Sequence, residues 1–164
     1  MLTLERLRAD HADAVLAFER ENREYFARTV PDRGDEYFTP TGFAARHKAL
    51  LAEQDAGVCH FHVVLNDEGR LVGRINLLDA EDGSAELGYR IGERAAGKGV
   101  ATAAVAQVCR MAAATYGLTS LVAVTTLDNL GSRTVLERNA FVVVGDTTID
   151  GQPGVRYRRE HLGH

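Results

Sequence analysis

The stretch Ala85-Glu86-Leu87-Gly88-Tyr89-Arg90-Ile91-Gly92-Glu93-Arg94-Ala95-Ala96-Gly97-Lys98-Gly99-Val100-Ala101-Thr102 decides the fold. Up to Ile91 the residues alternate as in a half-buried strand, and from Lys98 onward an Ala-rich run takes helical spacing. The turn between them, Arg94 to Gly99, is rich in glycine. Such a turn, opening a helix, presents unpaired backbone N–H groups and the positive end of the helix dipole, and glycine lets an anion approach the backbone closely. The segment therefore reads as a phosphate cradle. A structural strand-to-helix turn with no ligand is the commoner use of an isolated glycine loop, so the rest of the chain must decide.

Gly92 to Lys98 also match the first seven positions of the NTPase phosphate loop, GxxxxGK[ST]. The eighth position is Gly99, so the hydroxyl that would hold Mg²⁺ on a nucleotide is missing, and Thr102 comes three residues too late. Asp128, after the apolar run Ser120-Leu121-Val122-Ala123-Val124, imitates the second acid of those enzymes. The chain nevertheless offers little of the repeated parallel-sheet pattern that such domains need.

The 164 residues fit one domain spanning 1–164, large enough to bury about two-thirds of its unfolded surface. A net charge of −4 with no basic stripe argues against nucleic acid as a partner. The run Arg156-Tyr157-Arg158-Arg159 reads as the solvated face of a terminal strand. No apolar run approaches a membrane span and the first six residues lack the regions of a signal peptide, so no membrane partner and a cytoplasmic setting are expected. Cys59 and Cys109, each flanked by apolar residues, read as core residues rather than as a disulfide or metal pair, and no metal is expected.

Thr3 to Leu7 alternates as a first strand, and Asp10 is the expected cap of a helix that turns Val15, Leu16 and Phe18 inward. Asn22 to Pro40 reads as a long irregular connection whose rings, Tyr25, Phe26, Tyr37 and Phe38, either wall a substrate site or cap the core. Thr39 or Thr41 caps a second helix carrying Phe43, His47, Leu50 and Leu51. Strands follow at Val58–Leu65, Leu71–Leu78 and 85–91, joined by turns at Asn66–Gly69 and Glu81–Ser84. A largely buried helix runs from about Lys98 to Tyr116 and ends at Gly117. Leu118–Leu127 is a strand, Asn129–Asn139 a short helix, and Ala140–Ile149 and Gly154–Glu160 a final pair joined through Asp150-Gly151.

The order β-α-α-β-β-β-α-β-α-β-β, with RxxGxG at Arg94 to Gly99, resembles the GNAT superfamily of N-acetyltransferases over essentially the whole chain. Asn129-Leu130-Gly131-Ser132 is similar to the NxxS element of its RimJ/RimL-like subgroup, as is Glu21 to Phe26. The resemblance implies an α+β fold in three layers, with a mixed, mostly antiparallel sheet of about seven strands flanked by about four helices. It implies acetyl-CoA as co-substrate and a primary amine as acceptor, either the N-terminal amine of a protein such as a ribosomal protein or a small molecule, and it allows a homodimer. A module that binds CoA without turnover stays open, because Leu136 stands where many members carry a tyrosine general acid. Ala140 replaces the family's common glycine, which implies a less unusual backbone angle there.

Carried onto this chain, the backbone of Arg90, Ile91 and Gly92 would pair with pantetheine. Arg94, Gly97, Lys98, Gly99, Val100, Ala101 and Thr102 would wrap the pyrophosphate, with backbone amides doing most of the orienting. Asn129 would cap its helix and touch the cofactor. Acetyl transfer needs a neutral amine, an oriented thioester carbonyl and a proton for the leaving thiolate. Glu86 is the candidate base, acting through a water; an amide near Tyr89 to Ile91 would polarise the carbonyl; Ser132 would either protonate the thiolate or hydrogen-bond the sulfur while water delivers the proton. Asn22, Tyr25, Phe26 and Tyr89 are the candidate acceptor contacts. His60 and His62 share one strand face and read as structural.

Overall fold

Seven strands form one mixed sheet in the order β1-β2-β3-β4-β5-β7-β6 in the computed structural model, which describes residues 2–162. They are β1 (Thr3–Arg6), β2 (His60–Leu65), β3 (Leu71–Glu81), β4 (Ser84–Ile91), β5 (Ser120–Thr126), β6 (Val142–Ile149) and β7 (Gln152–Glu160). All neighbours run antiparallel except β4 and β5, which are parallel because the helix between them carries the chain back across the sheet. The hairpins at Asp82-Gly83 and Asp150-Gly151 place both residues at positive φ, between 50° and 79°, as tight two-residue turns require.

The helices are α1 (Ala12–Glu21), α2 (Arg23–Ala27), α3 (Pro40–Asp55), α4 (Val100–Ala114) and α5 (Leu130–Arg138). One more is present than the sequence pattern predicts. The extra helix, α2, lies in the connection expected to be irregular, and a 3-10 turn at Asp35–Phe38 occupies part of the remainder. Five residues with one buried side chain, Phe26, are too few for periodicity to reveal. Asp10 does not cap α1: it sits inside a 3-10 turn that precedes the helix. Thr39 does cap α3, its hydroxyl accepting from the Gly42 N–H at 3.0 Å.

Strand parity divides the core between the two faces of the sheet. Ile75, Leu77, Ala85, Leu87 and Leu121 pack against Ala104, Val105, Val108 and Ala112 of α4. Phe61 and Val63 pack against Val15 and Leu16 of α1 and Phe43 and Leu50 of α3. Each fully buried aliphatic side chain contributes about 1.5–3 kcal/mol, so both layers hold firmly to the strands between them. No helix among the described residues is long and apolar enough to cross a membrane.

Ala140 departs from expectation. Its φ is 65°, so the chain keeps the left-handed turn after α5 without the glycine that adopts it freely.

His60 and His62 both meet Tyr116 beyond the end of α4. The His60 ring stacks on it with centroids 3.8 Å apart, and His62 Nε2 shares a 2.7 Å hydrogen bond with its hydroxyl. Burial pushes the His62 pKa down from 6.5 to about 4. The unfolded chain therefore takes up a proton that folded His62 refuses. Its contribution to stability is complete above pH 6.5 and is lost as pH falls toward about 4, at roughly 1.4 kcal/mol per pH unit. Urea unfolding should show a decline below pH 6.5 that is shallower by about one proton in His62→Phe. An unchanged slope in that variant assigns the decline elsewhere.

Candidate functional site

β4 and β5 pair only over Ser84–Glu86 against Ser120–Val122 and then separate. The gap widens into a cleft of about 1070 Å³, walled by Leu87 to Ile91 on one side and Ala123 to Thr126 on the other. That volume lies at the upper end for small-molecule sites and suits a long, segmented ligand.

The backbone of β4 is already sorted for such a ligand. The Gly92 N–H donates to the Val72 carbonyl at 2.8 Å, and Arg90 lies opposite Arg74 in the same antiparallel ladder. By the alternation of that ladder, Arg90 and Gly92 commit their backbone groups to β3, whereas Tyr89 and Ile91 turn theirs toward the cleft. Of the three backbone partners expected for pantetheine, Ile91 alone is free for it, with Tyr89 as the second free position. Arg90 is nevertheless one of the residues lining the cleft.

At the end of β4 the chain makes a 3-10 turn, Glu93–Ala95, and passes through Gly97 and Gly99 at φ 73° and 79° before α4 begins. A Cβ at either glycine would meet nothing within 4 Å. Backbone angle and close approach, rather than packing, therefore explain both glycines. No side chain caps α4, so its first N–H groups face the cleft mouth, where Gly97, Gly99, Val100, Ala101 and Thr102 form the wall. Arg94 and Lys98 are exposed and lie outside that wall, and Arg94 pairs with Glu21 at 3.0 Å.

Asn22 also lies outside the cleft wall. Its buried amide donates to the Phe18 carbonyl at 2.9 Å and accepts from the Glu93 N–H at 2.9 Å, fastening the phosphate loop to the end of α1. Gly92 packs under this clamp, where a Cβ would lie 3.0 Å from the Phe18 ring and 3.2 Å from the Asn22 amide. Asn22→Ala leaves the Glu93 N–H without its acceptor, while the Phe18 carbonyl keeps the backbone N–H of residue 22 at 3.1 Å. It should cost about 1–3 kcal/mol of stability, read by urea denaturation.

Across the cleft, Asn129 Oδ1 accepts from the Ser132 N–H at 3.1 Å and caps α5. Ser132 Oγ lies 3.2 Å from the hydroxyl of Tyr89, so β4 and α5 join through two hydroxyls at the cleft wall. Burial pushes the Tyr89 phenol up from 10.0, and its bond to Ser132 works against that shift. The phenol stays protonated and able to donate at neutral pH. Leu136 is fully buried and apolar, and adds no donor to this wall.

Glu86 occupies the last paired register before the strands separate, opposite Leu78 and Val122. It is half-buried and not part of the cleft wall, and shares its sheet face with Gly88, which is. Tyr25 and Phe26 line the cleft, and Phe26 is also buried, so this ring both caps the core and walls the site.

The sequence reading missed a charged cluster beneath α1. Glu19 is 1% exposed and lies 3.0 Å from Arg90, 3.7 Å from Arg74 and 3.8 Å from Arg33. The available signal was parity, since Arg74, Asn76, Gly88 and Arg90 all fall on the sheet face that α1 covers.

A cleft between diverging parallel strands, ending on a glycine-rich helix start without a side-chain cap, offers room for a long ligand with an anionic end. The chain belongs to the acetyltransferase (GNAT) domain family, whose profile matches residues 1–142, and is an acetyltransferase of that family. It is 29% identical over 141 residues to the probable N-acetyltransferase YjcK of Bacillus subtilis, across 82% of this chain and 77% of that protein. Its fold is similar to the ribosomal-protein-S5-alanine acetyltransferase of Vibrio fischeri, with a TM-score of 0.89, 20% identity, and 98% and 93% of the two chains covered. It is also similar to spermidine N-acetyltransferase from Vibrio cholerae, solved with CoA and spermine, with a TM-score of 0.81, 18% identity, and 98% and 95% covered.

Proposed function

We propose that this chain transfers the acetyl group of acetyl-CoA to a primary amine, in the manner of the RimJ/RimL-like subgroup. The observation that carries the reading is the β4/β5 cleft, with free backbone groups at Tyr89 and Ile91 leading to the uncapped start of α4. There the amides of Gly99 to Thr102 hold the pyrophosphate, and Tyr89 and Ile91 hold the pantetheine arm and polarise the thioester carbonyl. Glu86 takes a proton from the acceptor ammonium through a water, and the neutral amine then attacks the thioester carbonyl. Ser132, backed by Tyr89, donates a hydrogen bond to the sulfur as the C–S bond breaks, and the second proton released by the acceptor nitrogen passes through water to the thiolate, which leaves as the free thiol. A protein N-terminus and a small amine are the two acceptor kinds that the relatives' names support. A cytoplasmic setting and a homodimer belong to the same reading.

Calorimetry should show saturable acetyl-CoA binding, and a thiol-release assay over a broad amine panel should show turnover that falls about 100-fold in Glu86→Gln. Absence of saturable binding overturns the cleft assignment. Binding without turnover on any amine favours a CoA-binding module, the reading that Leu136 leaves open.

A further inference from the structure

Three guanidiniums converge on the single carboxylate of Glu19, which leaves two positive charges in excess. One arginine suffices to neutralise a buried glutamate, and each further buried charge adds a desolvation cost. The neighbouring acids are occupied: Asp32 and Asp35 pair with Arg23 at 2.8 and 2.7 Å, and Glu93 lies 3.6 Å from Arg28. Arg74 is 6% exposed, and among the described residues its guanidinium makes one hydrogen bond, to the Tyr37 hydroxyl at 3.5 Å. A guanidinium has five donors, so most of Arg74's are unspent. Burial and the charges of Arg33 and Arg74 weigh against the charged form of Arg90, and Glu19 is the carboxylate that supports it.

We propose that Arg74 and Arg90, with Arg33 at the rim, form the subsite for an anionic group on the acceptor, so that the amine acetylated here belongs to a molecule carrying a carboxylate or phosphate close by. The inference rests on the acetyl-transfer reading above. Arg90 joins the subsite to the chemistry because it lines the cleft and its guanidinium lies 4.4 Å from the ring of Phe26, another lining residue. One same-face step along the sheet, about 7 Å away, Asn76 stands opposite Gly88 of the same wall. Asn76 Oδ1 is buried with no hydrogen-bond partner among the described residues, an acceptor suited to an amine N–H. One step further stands Glu86, opposite Leu78. Base, amine acceptor and cation pair thus follow one another along a single face of β3 and β4, in the order that a molecule with an amine at one end and an anion at the other requires. A polyamine would set its second ammonium against Arg74 and Arg90.

The test is kcat/KM by thiol release over matched amines: glycine and β-alanine against their amides, phosphoethanolamine against ethanolamine, and spermidine. At least one anionic member should exceed its neutral partner tenfold or more. The carboxylate and phosphate arms distinguish the two anions. In Arg74→Gln that preference should collapse through KM for the amine, with acetyl-CoA KM unchanged, and Arg33→Gln should lower it several-fold should Arg74→Gln fail to fold. Neutral amides or spermidine used as well as the anionic amines overturn the subsite while leaving acetyl transfer standing. If no amine turns over, calorimetry of glycine and phosphoethanolamine, each against its neutral partner, on the CoA-loaded protein decides: equal affinities overturn the proposal, and selective binding of the anionic member upholds it. Failure of acetyl-CoA itself to bind removes the underlying reading and the subsite with it.

Discussion

Ser132→Ala is expected to lower kcat for acetyl transfer about 100-fold while leaving the acetyl-CoA KM within roughly twofold, because the lost hydroxyl acts on charge that develops as the thioester breaks. Tyr89→Phe should cost about tenfold, since Ser132 keeps its place and loses only the phenol 3.2 Å away. The double variant should fall well short of the product of the two losses, as contacting groups in one chain of hydrogen bonds do. Steady-state thiol release measures all three. A purely structural Ser132 would instead lower the melting temperature and leave kcat near the parent value; its N–H bond to Asn129 persists in alanine, so the two roles separate cleanly.

The second large effect is on stability. Glu19→Ala leaves buried Arg74 and half-buried Arg90 side by side with no carboxylate between them, a loss of about 3–5 kcal/mol. Against a total of about 5–15 kcal/mol for a domain, that lowers the melting temperature by roughly 10 °C. Glu19→Gln keeps the shape but not the charge and should destabilise less. High concentrations of inorganic phosphate should recover part of the loss by supplying an anion to the vacated place. Circular dichroism melts with and without phosphate read both effects; a Glu19→Ala protein that melts with the parent removes the cluster from the stability argument.

Much of the fold was legible because two periodicities dominate the chain. The alternation of His60 to Leu65, Leu71 to Leu78 and Ala85 to Ile91 displays the meander, and the Ala-rich run displays α4. What escaped was short or conditional on three dimensions. α2 has too few residues to show a period, and Asp10 resembles a cap until the 3-10 turn before α1 is seen. In the site, the glycine loop and the NxxS element announce themselves because backbone angle and capping are local properties. Asn22 carries no such mark. Its work depends on Glu93, which is 71 positions away, as does that of Glu19 on Arg90. The division of β4 into cleft-facing and β3-facing backbone likewise needs the register with Val72, which polarity along one strand does not encode.

Under the proposed function, that division makes the co-substrate a substitute strand. In the free protein the amides of Tyr89 and Ile91 have no sheet partner, whereas those of Arg90 and Gly92, one residue along in each case, are held by β3. Amide hydrogen exchange should therefore read out a comb, fast at 89 and 91 and slow at 90 and 92. Adding CoA should slow the fast teeth and leave the others where they were, so this edge inside the sheet becomes protected only when the ligand closes it.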